Sequence, residues 1–173
     1  MTNEEKQGIM RDRAAALLQE GAVSYIIGWR GTRFPDKTAI FFARDAADAG
    51  KLVWNAHTIP LTAKYLLDDR WPDKKIGIFA RGCDSKAINR LLRDNQIERK
   101  NLHILGLPCE GKQDPRCLSC RQKDPLIHDE LLWPPEAETS AAEASTSGVA
   151  KPNAAIASAA APEPERGRFF RAE

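Results

Sequence analysis

Four cysteines are the residues in this chain best equipped for chemistry. Cys109, Cys117 and Cys120 fall within twelve positions, and Cys83 stands alone upstream. The pattern is Cys, twenty-five residues, Cys, seven residues, Cys, two residues, Cys. Thiolates are soft ligands that suit zinc or iron–sulfur centres, and four of them complete the ligand set of either. Two disulfides would instead need an oxidising compartment. The charged stretch Met1 to Glu20 has no apolar signal-peptide core, and no run approaches the ~18 apolar residues of a membrane span. A cytoplasmic protein with reduced thiols is therefore expected. Four-cysteine zinc sites usually present two paired Cys-x-x-Cys knuckles. Only Cys117 and Cys120 form such a pair, which weakens zinc relative to an iron–sulfur cluster and leaves free thiols or a redox pair as further alternatives.

The elements that must position the quartet are legible around it. Lys75 to Ala80 is an apolar run of strand length, and Leu102 to Leu107 is a second. Between them, Asp84 to Asn95 puts Ala87, Ile88, Leu91 and Leu92 on one helical face, with Asp84 as the expected N-cap. Strand, helix, strand over about thirty residues is a βαβ unit with parallel strands and a right-handed crossover. Cys83 and Cys109 then lie just past the carboxyl ends of two parallel strands, the edge where open α/β sheets bind ligands. Cys117 and Cys120 sit on the loop that continues from Cys109, and Gly111 and Pro115 let that loop fold back. The expected fold class is α/β: a small mixed or parallel sheet with flanking helices, a metal cluster at the carboxyl ends of two parallel strands, and a disordered C-terminal tail.

Charge points the same way. Arg81, Lys86, Lys112, Arg116, Arg121 and Lys123 surround the ligands, against Asp84, Glu110 and Asp114. A four-thiolate cluster is negatively charged and favours nearby cations, although such bases also make an ordinary solvated surface. Cys83 directly precedes the expected N-cap, where a helix dipole favours an anion by about 0.3–1 kcal/mol.

Arg81-Gly82-Cys83-Asp84 opening a helix, Asn95-Gln96-Ile97, Ile104-Leu105-Gly106-Leu107-Pro108-Cys109 and Cys117-Leu118-Ser119-Cys120 together resemble the coenzyme F-420 hydrogenase and dehydrogenase beta-subunit family. Within it they are most similar to the iron–sulfur proteins of heterodisulfide-reductase-type and other multi-subunit redox complexes. The match runs roughly from Ala14 to Leu132. The resemblance implies a [4Fe–4S] cluster on Cys83, Cys109, Cys117 and Cys120, and electron transfer between a flavin or other clusters and a partner subunit. It also raises FAD as a second cofactor, bound beside the cluster. The partners it implies are other subunits of a redox complex: ferredoxin-like, flavoprotein or heterodisulfide-reductase-like. Relatives commonly carry a ferredoxin-like Cys-x-x-Cys-x-x-Cys-x-x-x-Cys-Pro run. This sequence lacks one, because its four cysteines are already used.

The remaining sequence is scaffold. A net charge of +2 over 173 residues gives no reason to expect a nucleic-acid partner. Glu4 to Glu20, with Ile9, Ala16, Leu17 and Leu18, is expected as an amphipathic helix stopped at Gly21. Ala22 to Trp29 and Thr38 to Ala43 are β-rich runs expected to form a hairpin or adjacent strands, with Phe41 and Phe42 in the core. Asp45 to Gly50 reads as a helical turn or loop, Lys51 to Trp54 as a short strand, and Pro60 to Asp69 as a helix with proline near its start. Trp29, Trp54, Trp71 and Trp133 read as packing residues. His57, His103 and His128 are scattered, and His57 is a candidate flavin contact only by its polar loop. No dinucleotide fingerprint, phosphate-binding loop or serine–histidine–acid arrangement is present.

Composition divides the chain into a cluster-binding α/β domain over 1–133, an Ala/Pro/Ser-rich linker over 134–165, and a basic-aromatic segment over 166–173. Ala141 to Ala161 contains ten alanines without apolar periodicity and is expected to be disordered. Phe169 and Phe170 among Arg166, Arg168 and Arg171 make a candidate docking peptide, at the place where longer relatives lead into a ferredoxin module. Two functions remain in play: an electron-transfer subunit with one [4Fe–4S] cluster, or a zinc-stabilised α/β protein-interaction module without redox activity.

Overall fold

The two apolar runs that flank Cys83 and its helix become neighbouring parallel strands, and the rest of the sheet grows outward from them. The structure is a computed structural model describing residues 1–67 and 74–134. Trp71, the linker beyond Pro134 and the 166–173 segment lie outside the described residues. The elements are α1 (Asn3–Gln19), β1 (Tyr25–Gly31), β2 (Thr38–Ala43), α2 (Ala46–Ala49), a 3₁₀ turn at Ala63–Leu67, β3 (Ile76–Ala80), α3 (Gly82–Arg93), β4 (Leu102–Gly106), α4 (Pro115–Leu118) and β5 (Glu130–Leu131), with a second 3₁₀ turn, Arg99–Asn101, leading into β4. The sheet order is β2-β1-β3-β4-β5. Strands β1 and β2 form the expected antiparallel hairpin, Ile26 opposite Ala43 and Gly31 opposite Thr38. The others pair in parallel, with Ile27 beside Ile78 and Ile78 beside Ile104. The fold is therefore α/β on a mixed sheet, as read from the sequence.

Alternation along the strands splits the core in two. Ile26, Phe79 and Leu105 join Met10, Ala14 and Leu17 of α1. Tyr25, Ile27, Ile76, Ile78, Leu102 and Ile104 join Ile88 of α3. One helix therefore covers each collection, and β3 and β4, buried throughout or nearly so, are central. Among the described residues no helix is long and apolar enough to cross a membrane.

Several expectations need correction. Helix α3 starts at Gly82, not Asp84, with Arg81 as the extended N-cap residue. Asp84 sits at the third helical position and turns its carboxylate back to Arg81 N, 3.3 Å away, so Cys83 lies inside the first turn. Over the described residues 60–67, the expected helix at Pro60 to Asp69 is only the 3₁₀ turn at Ala63–Leu67. Thr62, just before it, gives its backbone N–H to Asp84 at 2.8 Å and its hydroxyl to Phe79 O at 3.0 Å, so tertiary bonds replace helical ones. Lys51 to Trp54 makes a single bridge, Arg30 with Leu52, instead of a strand. Phe41 and Phe42 are half-buried because β2 is an edge strand. The face α1 buries is Lys6, Met10, Ala14 and Leu17. Strand β5 has two residues, too few to show a period of two.

Candidate functional site

Cys83 and Cys109 are delivered by the carboxyl ends of β3 and β4. Cys83 follows β3 in the first turn of α3. Beyond β4, Leu107 N still bonds Ala80 O at 2.9 Å, and Cys109 N bonds Lys123 O at 3.1 Å, closing the returning loop onto the sheet edge. Gly111, at φ 118°, makes a turn that side-chain-bearing residues rarely adopt. Asp114 then caps α4 by accepting from Arg116 N at 2.9 Å, with Pro115 at the first helical position. Cys117 and Cys120 flank the end of this short helix, Cys120 N bonding Cys117 O at 3.3 Å.

The loop reaches the start of α3 at Gly82. A Cβ there would stand 2.8 Å from the Gln122 carbonyl carbon and 2.9 Å from Asp124 O, closer still to Gln122 O. Glycine is thus required by backbone passing against backbone. Ser85 completes the seam: its hydroxyl donates to Gly82 O at 2.9 Å and accepts from Leu126 N at 2.8 Å.

As a result, all four cysteines line one cavity, together with Arg81, Lys112 and Lys123. All four are free thiols. Among the described residues no group of three or more His, Cys, Asp or Glu side chains is gathered tightly enough to hold a lone ion. Cys83 keeps part of its residue surface in solvent, yet burial of its thiol, and then the Asp84 carboxylate, push it up to about 11 against the pull of Arg81.

A buried electrostatic frame stands behind the cavity. Arg81 Nε donates to Asp84 Oδ2 at 2.6 Å, and both side chains are almost wholly enclosed. The rest of the guanidinium donates to the carbonyls of Thr58, Ile59 and Pro60. Burial alone would lower its affinity for the proton, but Asp84 keeps it raised. Lys112 Nζ donates to Asn55 O at 2.8 Å, and burial brings its ammonium down to about 8. Of the bases grouped by sequence, Arg116 is engaged by Asp114, and Arg121 lines a neighbouring cavity of about 620 Å³ that shares Cys109 and Lys123 with the thiol pocket and also meets Lys6 and Trp133.

The histidines do not join the site. His57 lines neither cavity, and its carbonyl accepts from Thr38 Oγ1 at 2.7 Å. His103 pairs with Glu130 at 2.8 Å, and His128 packs over the Gly106 backbone. Trp29, Trp54 and Trp133 are buried packing residues, as expected. Sequence reasoning missed Thr58 to Thr62, the segment that holds Arg81 and Asp84. Its only signal was a polar stretch adjoining Pro60.

Fold and site define a class: an α/β domain with a four-thiol pocket at the carboxyl edge of its parallel strands. No family model matches the chain. A curated protein, F420-dependent formate dehydrogenase subunit beta of Methanocaldococcus jannaschii, is 44% identical over 55 residues, which is 32% of this chain and 13% of that protein. Among solved structures, a chain of the F420-reducing [NiFe] hydrogenase complex from Methanosarcina barkeri aligns with a TM-score of 0.54 at 19% identity, over 64% of this chain and 40% of that one. The curated match supports the resemblance to the coenzyme F-420 hydrogenase and dehydrogenase beta-subunit family, and the structural match supports the fold. The chain spans a small part of the first relative and under half of the second.

Proposed function

We propose that this chain is an electron-transfer subunit of an oxidoreductase complex, holding one [4Fe–4S] cluster on Cys83, Cys109, Cys117 and Cys120. The observation that carries the reading is the convergence of all four cysteines on one cavity at the carboxyl ends of β3 and β4. Four soft thiolates are the donor set of such a cluster, and the cations lining the pocket suit its negative charge. A bound cluster supplies one-electron chemistry. The chain's own residues would bring the four thiols to one cavity with Arg81, itself paired to the enclosed Asp84, on its wall, while α4 keeps Leu118 exposed.

The thiol cavity is small, about 30 Å³, and Cys117 and Cys120 line it from the loop that returns to the sheet edge. The adjoining 620 Å³ cavity is of cofactor size, and Arg121 and Lys123 on its wall would give the phosphates of a bound FAD a charge partner. The curated relative and the structural neighbour are named as parts of F420-dependent and F420-reducing enzymes, which supports a redox partner for this chain. The basic-aromatic residues 166–173 are the proposed docking segment, and the cytoplasm is the proposed location, where thiols stay reduced.

Anaerobic purification with iron, sulfide and zinc analysis tests the reading. About four irons and four sulfides per chain, with visible absorbance bleached on reduction, are expected. One zinc and no colour would replace the proposal with the zinc-stabilised interaction module.

A further inference from the structure

Two tryptophans behind the thiol cavity each carry a cation on one face. The Arg81 guanidinium carbon stands 4.8 Å from the Trp29 ring centre, and Lys112 Nζ stands 3.4 Å from that of Trp54. The two rings meet edge to face with centroids 6.0 Å apart. Both cations line the cavity shared by the four cysteines, but their charges are answered differently. Arg81 is neutralised by Asp84 at 2.6 Å. Lys112 donates to a neutral carbonyl, that of Asn55, and among the described residues it stands in no ion pair. Glu110, two positions before it, is paired with Lys6. Attraction to a Trp face recovers part of the cost of burying an ammonium. Lys112 is half-buried and, among the described residues, hydrogen-bonded to no carboxylate, so its desolvation is only partly offset, and burial lowers its proton affinity despite the field of Glu110.

We propose that Lys112 is the counter-ion of the group held by the four cysteines, and that its charge favours that group's reduced state. The proposal rests on the reading of the quartet as a [4Fe–4S] site. The negative charge of a four-thiolate cluster grows by one on reduction. A cation in the same poorly solvated cavity therefore stabilises the reduced form more than the oxidised one. Arg81 is less suited to the role because Asp84 already balances it. Lys112 acts through the field it sets and ligates nothing, so it is a positioning residue.

The test compares Lys112→Met and Lys112→Arg with the parent chain, each reconstituted anaerobically with iron and sulfide. Reduction potential is read by a dye-mediated redox titration, and the melting temperature is read on the iron-free proteins. In Lys112→Met the reduced-to-oxidised ratio at fixed potential should fall about tenfold, a shift of about 59 mV on a one-electron couple. Lys112→Arg should stay within about threefold of the parent, and the iron-free Met variant should melt no lower than the parent. Loss of the cluster from the Met variant alone, with the Arg variant loaded, also supports the counter-ion role. A Met variant with the parental potential overturns it, and a lower iron-free melting temperature beside that result assigns Lys112 to packing on Trp54. Equal loss of the cluster from both variants overturns it too. Failure of the parent chain to take up iron and sulfide is a separate result, which removes the [4Fe–4S] reading and this proposal together.

Discussion

Arg81 and Asp84 form an enclosed ion pair across the first turn of α3, Nε to Oδ2 at 2.6 Å, with side chains 3% and 0% exposed. The pair connects three parts of the chain. Arg81 holds the carbonyls of Thr58 to Pro60, Asp84 holds Thr62 N, and Cys83 lies between them in sequence. Replacing Asp84 with alanine leaves a buried guanidinium without its anion. Breaking such a pair costs about 3–5 kcal/mol. Urea unfolding of Asp84→Ala should show a loss of that size, and a loss below about 1 kcal/mol would mean that the pair is solvated.

Gly82 predicts a local failure with a sign-reversed control. Gly82→Ala drives a Cβ into the backbone of Gln122 and Asp124, which cannot rotate away as a side chain can. A loss of about 1–3 kcal/mol is expected, together with lower iron uptake, because the same loop carries Cys117 and Cys120. Gly8 lies inside α1, and a Cβ there meets nothing within 4 Å. Gly8→Ala should therefore stabilise the chain by about 0.5–1 kcal/mol. Equal effects of the two substitutions in chemical denaturation would refute the backbone contact.

Acid should release β5 first. Glu130 accepts from Arg13 at 2.6 Å through both of its oxygens and meets His103 at 2.8 Å. Its carboxyl is held below the ordinary value, by Arg13 before His103. For Asp129, burial favours the neutral form, but Arg99 and the Ile104 N–H outweigh it and its value is also lowered. Both groups have a folded value below the unfolded one. Their stabilisation is thus complete above the ordinary carboxylate range and is lost as pH falls through the folded values. Unfolding measured from pH 6 downward should show this loss, and Glu130→Gln should flatten part of the slope. An unchanged slope would place the acid sensitivity elsewhere.

The ligand assignment has its own consequence. Serine at any one of Cys83, Cys109, Cys117 or Cys120 should lower bound iron or change the visible and EPR spectra. A cysteine whose replacement leaves both intact is not a ligand. Stripping iron from the parent chain should speed amide exchange across residues 109–124, which hang on few backbone bonds, while β3 and β4 stay protected. Uniform acceleration across the sheet would show that the metal supports the whole fold instead of the loop.

The sequence by itself determined the sheet's central elements and the candidate ligands. Lys75 to Ala80 and Leu102 to Leu107 are largely apolar runs of strand length, and Ala87, Ile88, Leu91 and Leu92 repeat with helical period, so strand–helix–strand follows from local burial preference. The cysteine spacing marked the quartet because thiols separated by a βαβ crossover are brought to the same sheet edge. What only the tertiary structure decided are contacts between residues distant in sequence. The first turn of α3 moved back to Gly82 because Asp84 satisfies Arg81 and Thr62, twenty-two positions upstream, and no local capping preference contains Thr62. The expected helix after Pro60 shortened for the same reason. Of the bases counted near the cysteines, sequence could not separate Lys112, seated against Trp54, from Arg116, exposed and tied to Asp114. The two lie four positions apart, and what distinguishes them is a tryptophan more than fifty residues away, brought beside the thiols when Asn55 and Ala56 bond the returning loop.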